Sequence, residues 1–164
     1  LQEGLQFRWK AWSRLDILDK ELLELMQQAG CVCLLCGVEA GTEHGLHLVG
    51  KKLKLQRLVE NTKLIEESGI GCLYSFIAGI PGETREESLA TYNMINECNP
   101  AYTMVFWFTP IPGTEIFKYC ADNDLILDGV LNRTIQRTAT HRPTLKNIDY
   151  DYIWSALMAP RMAA

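Results

Sequence analysis

The sequence predicts an α/β protein with a parallel sheet, and three observations carry that expectation. Apolar runs of strand length alternate several times with amphipathic helical patterns. Those runs, such as "CVCLLC" and "GCLYSFIAG", are continuous rather than alternating, as strands covered by helices on both faces are. The second, third and fourth runs each end in a short segment that combines glycine or proline with a charged residue, where a parallel sheet places its ligands.

The elements follow in order. "LQFRWKAWSR" is the first strand, ending near Arg14, and Asp16 or Asp19 can cap the helix after it. That helix sets Leu18, Leu22, Leu25, Met26 and Ala29 at helical spacing, and Gly30 closes it. The cysteine-rich strand runs to "GVEAG", and a helix with Leu55, Leu58, Val59, Thr62 and Ile65 on one face ends at Gly69. "GCLYSFIAG" is the third strand; Thr84 and Glu87 form a capping box for a helix carrying Leu89, Tyr92 and Ile95. "YTMVFWFTP" is the last strand, and "IPGTEIFKYCADND" a loop and short helix. From about Leu125 the rhythm is lost until the helical pattern "DYDYIWSALM".

Of 164 residues 48% are apolar, enough for one core of ordinary size. A net charge of -4 with scattered basic residues gives no electrostatic footprint for nucleic acid or an anionic membrane. No apolar run reaches the roughly 20 residues that span a bilayer. Most of the six cysteines sit inside apolar or helical patterns, which points to thiols in a reducing cytoplasm. The chain opens with Leu1 rather than Met, and the expectation is a segment of a longer protein.

Cys31, Cys33 and Cys36 offer two readings. On a strand, Cys31 and Cys33 point to one face and Cys36 to the other, so the three thiols pack as small hydrophobes. As a metal site, they would bind iron or zinc only if the strand were broken.

Among the strand ends, Glu39 stands between Gly37 and Gly41. Its carboxylate suits a ribose hydroxyl or an ammonium group, or else caps the next helix or pairs with a neighbouring loop. "FIAGIPGE" has neither phosphate-loop spacing; Gly79 and Gly82 expose backbone there, suiting a planar base against Ile77. His44 and His47 share a helical face but have no third ligand nearby, and Lys51 either reaches back to a ligand carboxylate or remains in water. Trp9, Trp12, Trp107 and Trp154 are expected mainly in the core.

In order and spacing, "GVEAG", "FIAGIPGET" and "TPIPGTEIF" resemble the later half of the radical S-adenosylmethionine core, especially members with a cobalamin-binding domain. The likeness runs from about Phe7 to Asp124. It implies the later part of a partial (β/α)6 TIM-like barrel over residues 1–124, with 125–164 as a helical C-terminal extension. It also implies S-adenosylmethionine (SAM), a [4Fe-4S] cluster, cobalamin in some members, a small-molecule substrate and an electron donor such as flavodoxin or ferredoxin. By position, Glu39 would meet the ribose or methionine end, and Ile77 and Gly79 would border adenine. Arg14 and Lys51 would meet polar groups of methionine or substrate.

The chain departs from the family's pattern. The cluster motif C-x-x-x-C-x-x-C and the glycine-rich methionine motif are missing, Ser75 replaces a leading glycine, and the third motif's glutamate falls one position late at Glu83. Truncation accounts for the first two, and the segment alone is expected to be inactive and poorly soluble, with an unpaired strand edge. Two other readings compete: a degenerate barrel acting as a binding module, and a metalloprotein built on Cys31, Cys33 and Cys36.

Overall fold

A computed structural model describes residues 7–130 and 143–158. Arg133, Arg137 and Arg142 of the C-terminal tail lie outside the described residues. Strands β1 (Trp9–Ser13), β2 (Cys31–Glu39), β3 (Gly71–Ala78) and β4 (Tyr102–Trp107) form one sheet in the order β1-β2-β3-β4. β1 and β2 pair in parallel, from Trp9 opposite Cys31 to Ser13 opposite Cys36. Chain neighbours that are sheet neighbours and parallel need crossovers. Helix α1 (Lys20–Gln28) makes the first, α2 (Glu43–Leu48) and α3 (Leu55–Glu67) the second, and α4 (Arg85–Cys98) the third. Helix α5 (Glu115–Asp122) follows β4, and α6 (Tyr150–Ile153) continues into a π-helical turn, Trp154–Met158. The parallel α/β architecture expected from the sequence is present.

Contacts within the chain fall into two units. The first takes residues up to Val38, with Leu53–Phe76 and Met94–Met104; the second takes Glu39–Lys52, Ile77–Asn93 and residues from Val105 on.

In the first unit, Leu23, Leu34, Leu58, Ile65, Tyr74 and Phe76 are buried to 1% exposure or less. The Asp19 carboxylate caps α1 by accepting the Leu22 N–H at 2.8 Å. Asn61 of α3 donates through its buried amide to the Leu15 carbonyl at 2.6 Å, which fastens the 3-10 turn Leu15–Ile17 to that helix. Two sequence readings need correction. α1 buries Leu23, while Leu22 and Leu25 are exposed, because the helix starts at Lys20 and turns a different stripe inward. Trp12 is 71% exposed, because β1, outermost in the sheet among the described residues, alternates between half-buried and exposed residues.

The same unit answers the cysteine question. Cys31 and Cys36 are buried, Cys33 is half-buried, and all the cysteines are thiols rather than disulfides. Burial pushes the Cys31 thiol up, and Cys98 up to about 11. Among the described residues no three of His, Cys, Asp and Glu are grouped to hold a metal ion.

In the second unit Leu46, Ile80, Trp107, Phe108, Cys120, Leu145, Ile153 and Leu157 are buried. The Tyr150 hydroxyl accepts the N–H groups of Thr144 (3.0 Å) and Leu145 (2.9 Å). Thr144 donates its own hydroxyl to the Phe108 carbonyl at 2.7 Å, and the Tyr150 ring lies 5.2 Å from that of Trp107. Segment 143–150 is thereby fixed to the residues that follow β4. No helix among the described residues is long and apolar enough to cross a membrane.

Replacing Cys33 with Ala removes one half-buried thiol and leaves the strand intact. Chemical denaturation of Cys33→Ala is expected to show a loss of about 1 kcal/mol, with metal content by elemental analysis equal to that of the parent.

Candidate functional site

The carboxyl end of β2 carries an unusual backbone. Glu39 has φ of 78°, in the left-handed region that a side chain other than glycine's rarely enters. Such a conformation persists where surrounding contacts hold it, and it is a frequent property of ligand-binding positions. Two residues later Gly41 meets α4. A Cβ on Gly41 would lie 2.4 Å from the Thr91 Cα, so only glycine allows this approach. The buried Gly41 N–H donates to the Thr91 hydroxyl at 3.1 Å. Of the two glycines flanking Glu39, Gly41 thus makes room for α4.

Thr42 then caps α2, its hydroxyl accepting the Gly45 N–H at 3.0 Å. The chain leaves α2 with the Lys51 N–H donating to the Leu46 carbonyl at 2.8 Å. This return brings the Lys51 Nζ to 3.4 Å from Glu39 Oε1. Both side chains are largely withdrawn from water, at 20% exposure for Glu39 and 27% for Lys51. Burial raises the Glu39 carboxyl above its ordinary pKa, and the Lys51 charge and hydrogen bond pull it back. Of the roles open to Glu39, pairing with a neighbouring loop is realised, while the cap of α2 is Thr42.

At the end of β3 a second carboxylate organises the turn. Glu83 is buried and accepts the N–H groups of Gly79 (2.5 Å) and Ile80 (3.1 Å) and the Ser88 hydroxyl (2.8 Å). Burial pushes its pKa up against the downward pull of those bonds. The capping box is present: the Thr84 N–H donates to Glu87 Oε2 at 3.0 Å, and the Glu87 N–H to the Thr84 hydroxyl at 3.2 Å. The other Glu87 oxygen lies 2.8 Å from His44 Nδ1. Thr42, His44, Leu48, Ile80, Glu83 and Glu87 are among the residues lining an open depression there.

The site residues expected from the sequence are thus distributed unevenly. Glu39 and Lys51 come together. Ile77 is half-buried at the end of β3. Gly79 is buried, with its N–H taken by Glu83 and its α-carbon facing Trp107 and Tyr150 at 3.4 Å from an added Cβ. Exposed backbone in this turn belongs to Gly82, which has nothing within 4 Å of an added Cβ. Arg14 belongs to the first unit, where its guanidinium grips Asp16 through bonds of 2.9 and 2.7 Å. Sequence reasoning missed Glu83 as the tie of the turn and Thr91 as the partner of Gly41. A buried threonine inside an exposed helical pattern carries no local signal.

The sequence profile described as the Radical SAM superfamily matches residues 11–95. An uncharacterised methyltransferase of Pyrococcus horikoshii is 33% identical over 126 residues, which is 77% of this chain and 28% of that protein. The chain therefore spans 28% of the length of this relative. Among solved structures, Elp3 of Methanocaldococcus infernus superposes with a TM-score of 0.64 at 19% identity, covering 71% of this chain and 28% of that one. The radical SAM methyltransferase TsrM of Kitasatospora setae, with cobalamin and a [4Fe-4S] cluster bound, superposes with a TM-score of 0.58 at 22% identity, covering 71% and 23%. At these identities the two superpositions show a shared fold.

Since Lys51 supplies the downward pull on Glu39, Lys51→Ala is expected to raise the Glu39 pKa further. A carboxyl-carbon NMR titration reads this directly; an unchanged midpoint contradicts the pairing. The sign for stability follows. A carboxyl whose folded pKa lies above its unfolded one contributes stability below the unfolded pKa and loses it as pH rises through the folded one. Lys51→Ala therefore widens the window over which rising pH destabilises the fold.

Proposed function

The chain belongs to the radical SAM superfamily, and from that premise we propose that the carboxyl ends of its strands bind S-adenosylmethionine as part of a longer radical SAM enzyme. One observation carries the proposal: the Glu39–Lys51 pair, held at the end of β2 on a left-handed backbone. A half-buried carboxylate beside an ammonium matches the charges of an amino acid, which offers an ammonium and a carboxylate in return. The same carboxylate accepts from a ribose diol. In this reading Glu39 meets the ribose or the methionine ammonium, Lys51 meets the methionine carboxylate, and Ile77 and Gly79 border adenine. Arg14 is proposed for the polar groups of methionine or substrate.

The donor set thus fits SAM. It does not fit a [4Fe-4S] cluster, because no three suitable ligands are grouped among the described residues. We place the cluster's ligands outside them. When bound, such a cluster supplies the electron that cleaves a carbon–sulfur bond of SAM and so starts radical chemistry. The reading extends to a small-molecule substrate, cobalamin as a further cofactor, an electron donor of the flavodoxin or ferredoxin kind, and a cytoplasmic location. Residues 125–164 form a C-terminal extension in the same proposal.

Binding tests the core of it. In the full-length protein, Glu39→Ala and Lys51→Ala should each weaken SAM affinity by roughly tenfold to a hundredfold, the size of a lost hydrogen bond to a charged group. Anaerobic equilibrium dialysis measures this. Unaltered affinity in both variants would sink the assignment, and SAM binding without reductive cleavage would favour a non-catalytic binding module.

A further inference from the structure

We propose that Thr91 and His44 are positioning residues for SAM, acting through Lys51 by clasping the β2 end and α2 to α4. This rests on the SAM reading above and deepens it, since neither residue is assigned a contact with the ligand.

The loop from Glu39 to Lys51 needs such a clasp. Helix α2 has six residues, below the length at which a helix sustains itself, and Gly45 lies inside it. Its position is therefore set by tertiary contacts, and two polar ones reach α4. The first is the buried bond from the Gly41 N–H to the Thr91 hydroxyl, made at a point where the two backbones touch. The second is His44 Nδ1 to Glu87 Oε1. Between them they hold the loop from both sides of the α2 cap. Lys51 moves with α2, because its N–H is bonded to the Leu46 carbonyl. Glu39 precedes the Gly41 contact by two residues and holds a backbone conformation it would otherwise leave. Releasing α4 thus lets the 3.4 Å separation of Lys51 Nζ and Glu39 Oε1 open. The α4 end of the clasp is itself rigid, since Glu87 caps that helix and Glu83 ties its start to the β3 turn.

Thr91→Val removes the hydroxyl at nearly constant volume, and Thr91→Ser keeps it. In the full-length protein, Thr91→Val is expected to weaken SAM binding about tenfold and His44→Ala about threefold, with Thr91→Ser within about twofold of the parent. In a Lys51→Ala background the Thr91→Val and His44→Ala effects should shrink below about twofold, because the residues act through Lys51. A second readout is independent of SAM: the Glu39 carboxyl pKa, by NMR, should rise in Thr91→Val and His44→Ala and stay put in Thr91→Ser. His44 is exposed, so its variant folds even if Thr91→Val does not. The proposal is overturned if affinity loss persists undiminished without Lys51, or if the Glu39 pKa does not move. Failure of the SAM reading looks different: the parent protein, Lys51→Ala and Glu39→Ala would bind SAM equally or not at all, while the Glu39 titration would still judge the clasp.

Discussion

The buried carboxylate of Glu83 is the contact on which the rest of the second unit depends. The turn after β3 changes direction within a few residues and leaves the N–H groups of Gly79 and Ile80 without strand partners. One carboxylate oxygen takes both, and the other takes the Ser88 hydroxyl one turn into α4. Buried donors without partners cost about 1 to 3 kcal/mol each, so a single side chain both permits the turn and sets where the helix begins. From that start the Thr84–Glu87 box fixes the first turn of α4, and the face of α4 bearing Thr91 meets Gly41.

This order of dependence explains why a carboxyl group stands where burial raises its pKa. An apolar side chain would orphan two backbone donors, and an amide has only one oxygen for three incoming hydrogens. Glu39 presents the opposite case. Its carboxylate is raised by burial and eased by one lysine at 3.4 Å, with much of its hydrogen-bonding capacity unused by that pair. Glu83 accepts three hydrogen bonds from the fold, whereas Glu39 pairs with Lys51 at 3.4 Å. That contrast distinguishes a carboxylate used up by the fold from one paired with a single lysine.

The cysteines show the same distinction between composition and placement. Three within six positions suggest a metal centre on residue type alone. In β2 the pairing with β1 is irregular between Cys31 and Cys33, and Cys31 and Cys36 are buried while Cys33 is half-buried. Cys36 and Cys72 lie close to the Tyr74 hydroxyl, which burial pushes far above its ordinary pKa. Burial likewise disfavours the charged form of the Cys31 thiol. Polarizable small side chains fill the space instead.

The sequence by itself determined the alternation of strand and helix, the capping box at Thr84 and Glu87, and the family. These are local signals: apolar periodicity, caps and glycine-bearing strand ends act over a few residues and are readable there. It did not determine the inward stripe of α1, because the periodicity admits Leu22 and Leu25 as readily as Leu23 until the start of the helix is known. It did not show that Trp12 faces outward, since exposure depends on which strand lies at the sheet edge. Nor did it show that Arg14 is engaged by Asp16, that Glu83 ties the turn, or that Thr91 receives Gly41 from 50 residues away. Contacts of that separation are decided by packing alone, because nothing in a residue's neighbours along the chain encodes what the fold brings against it.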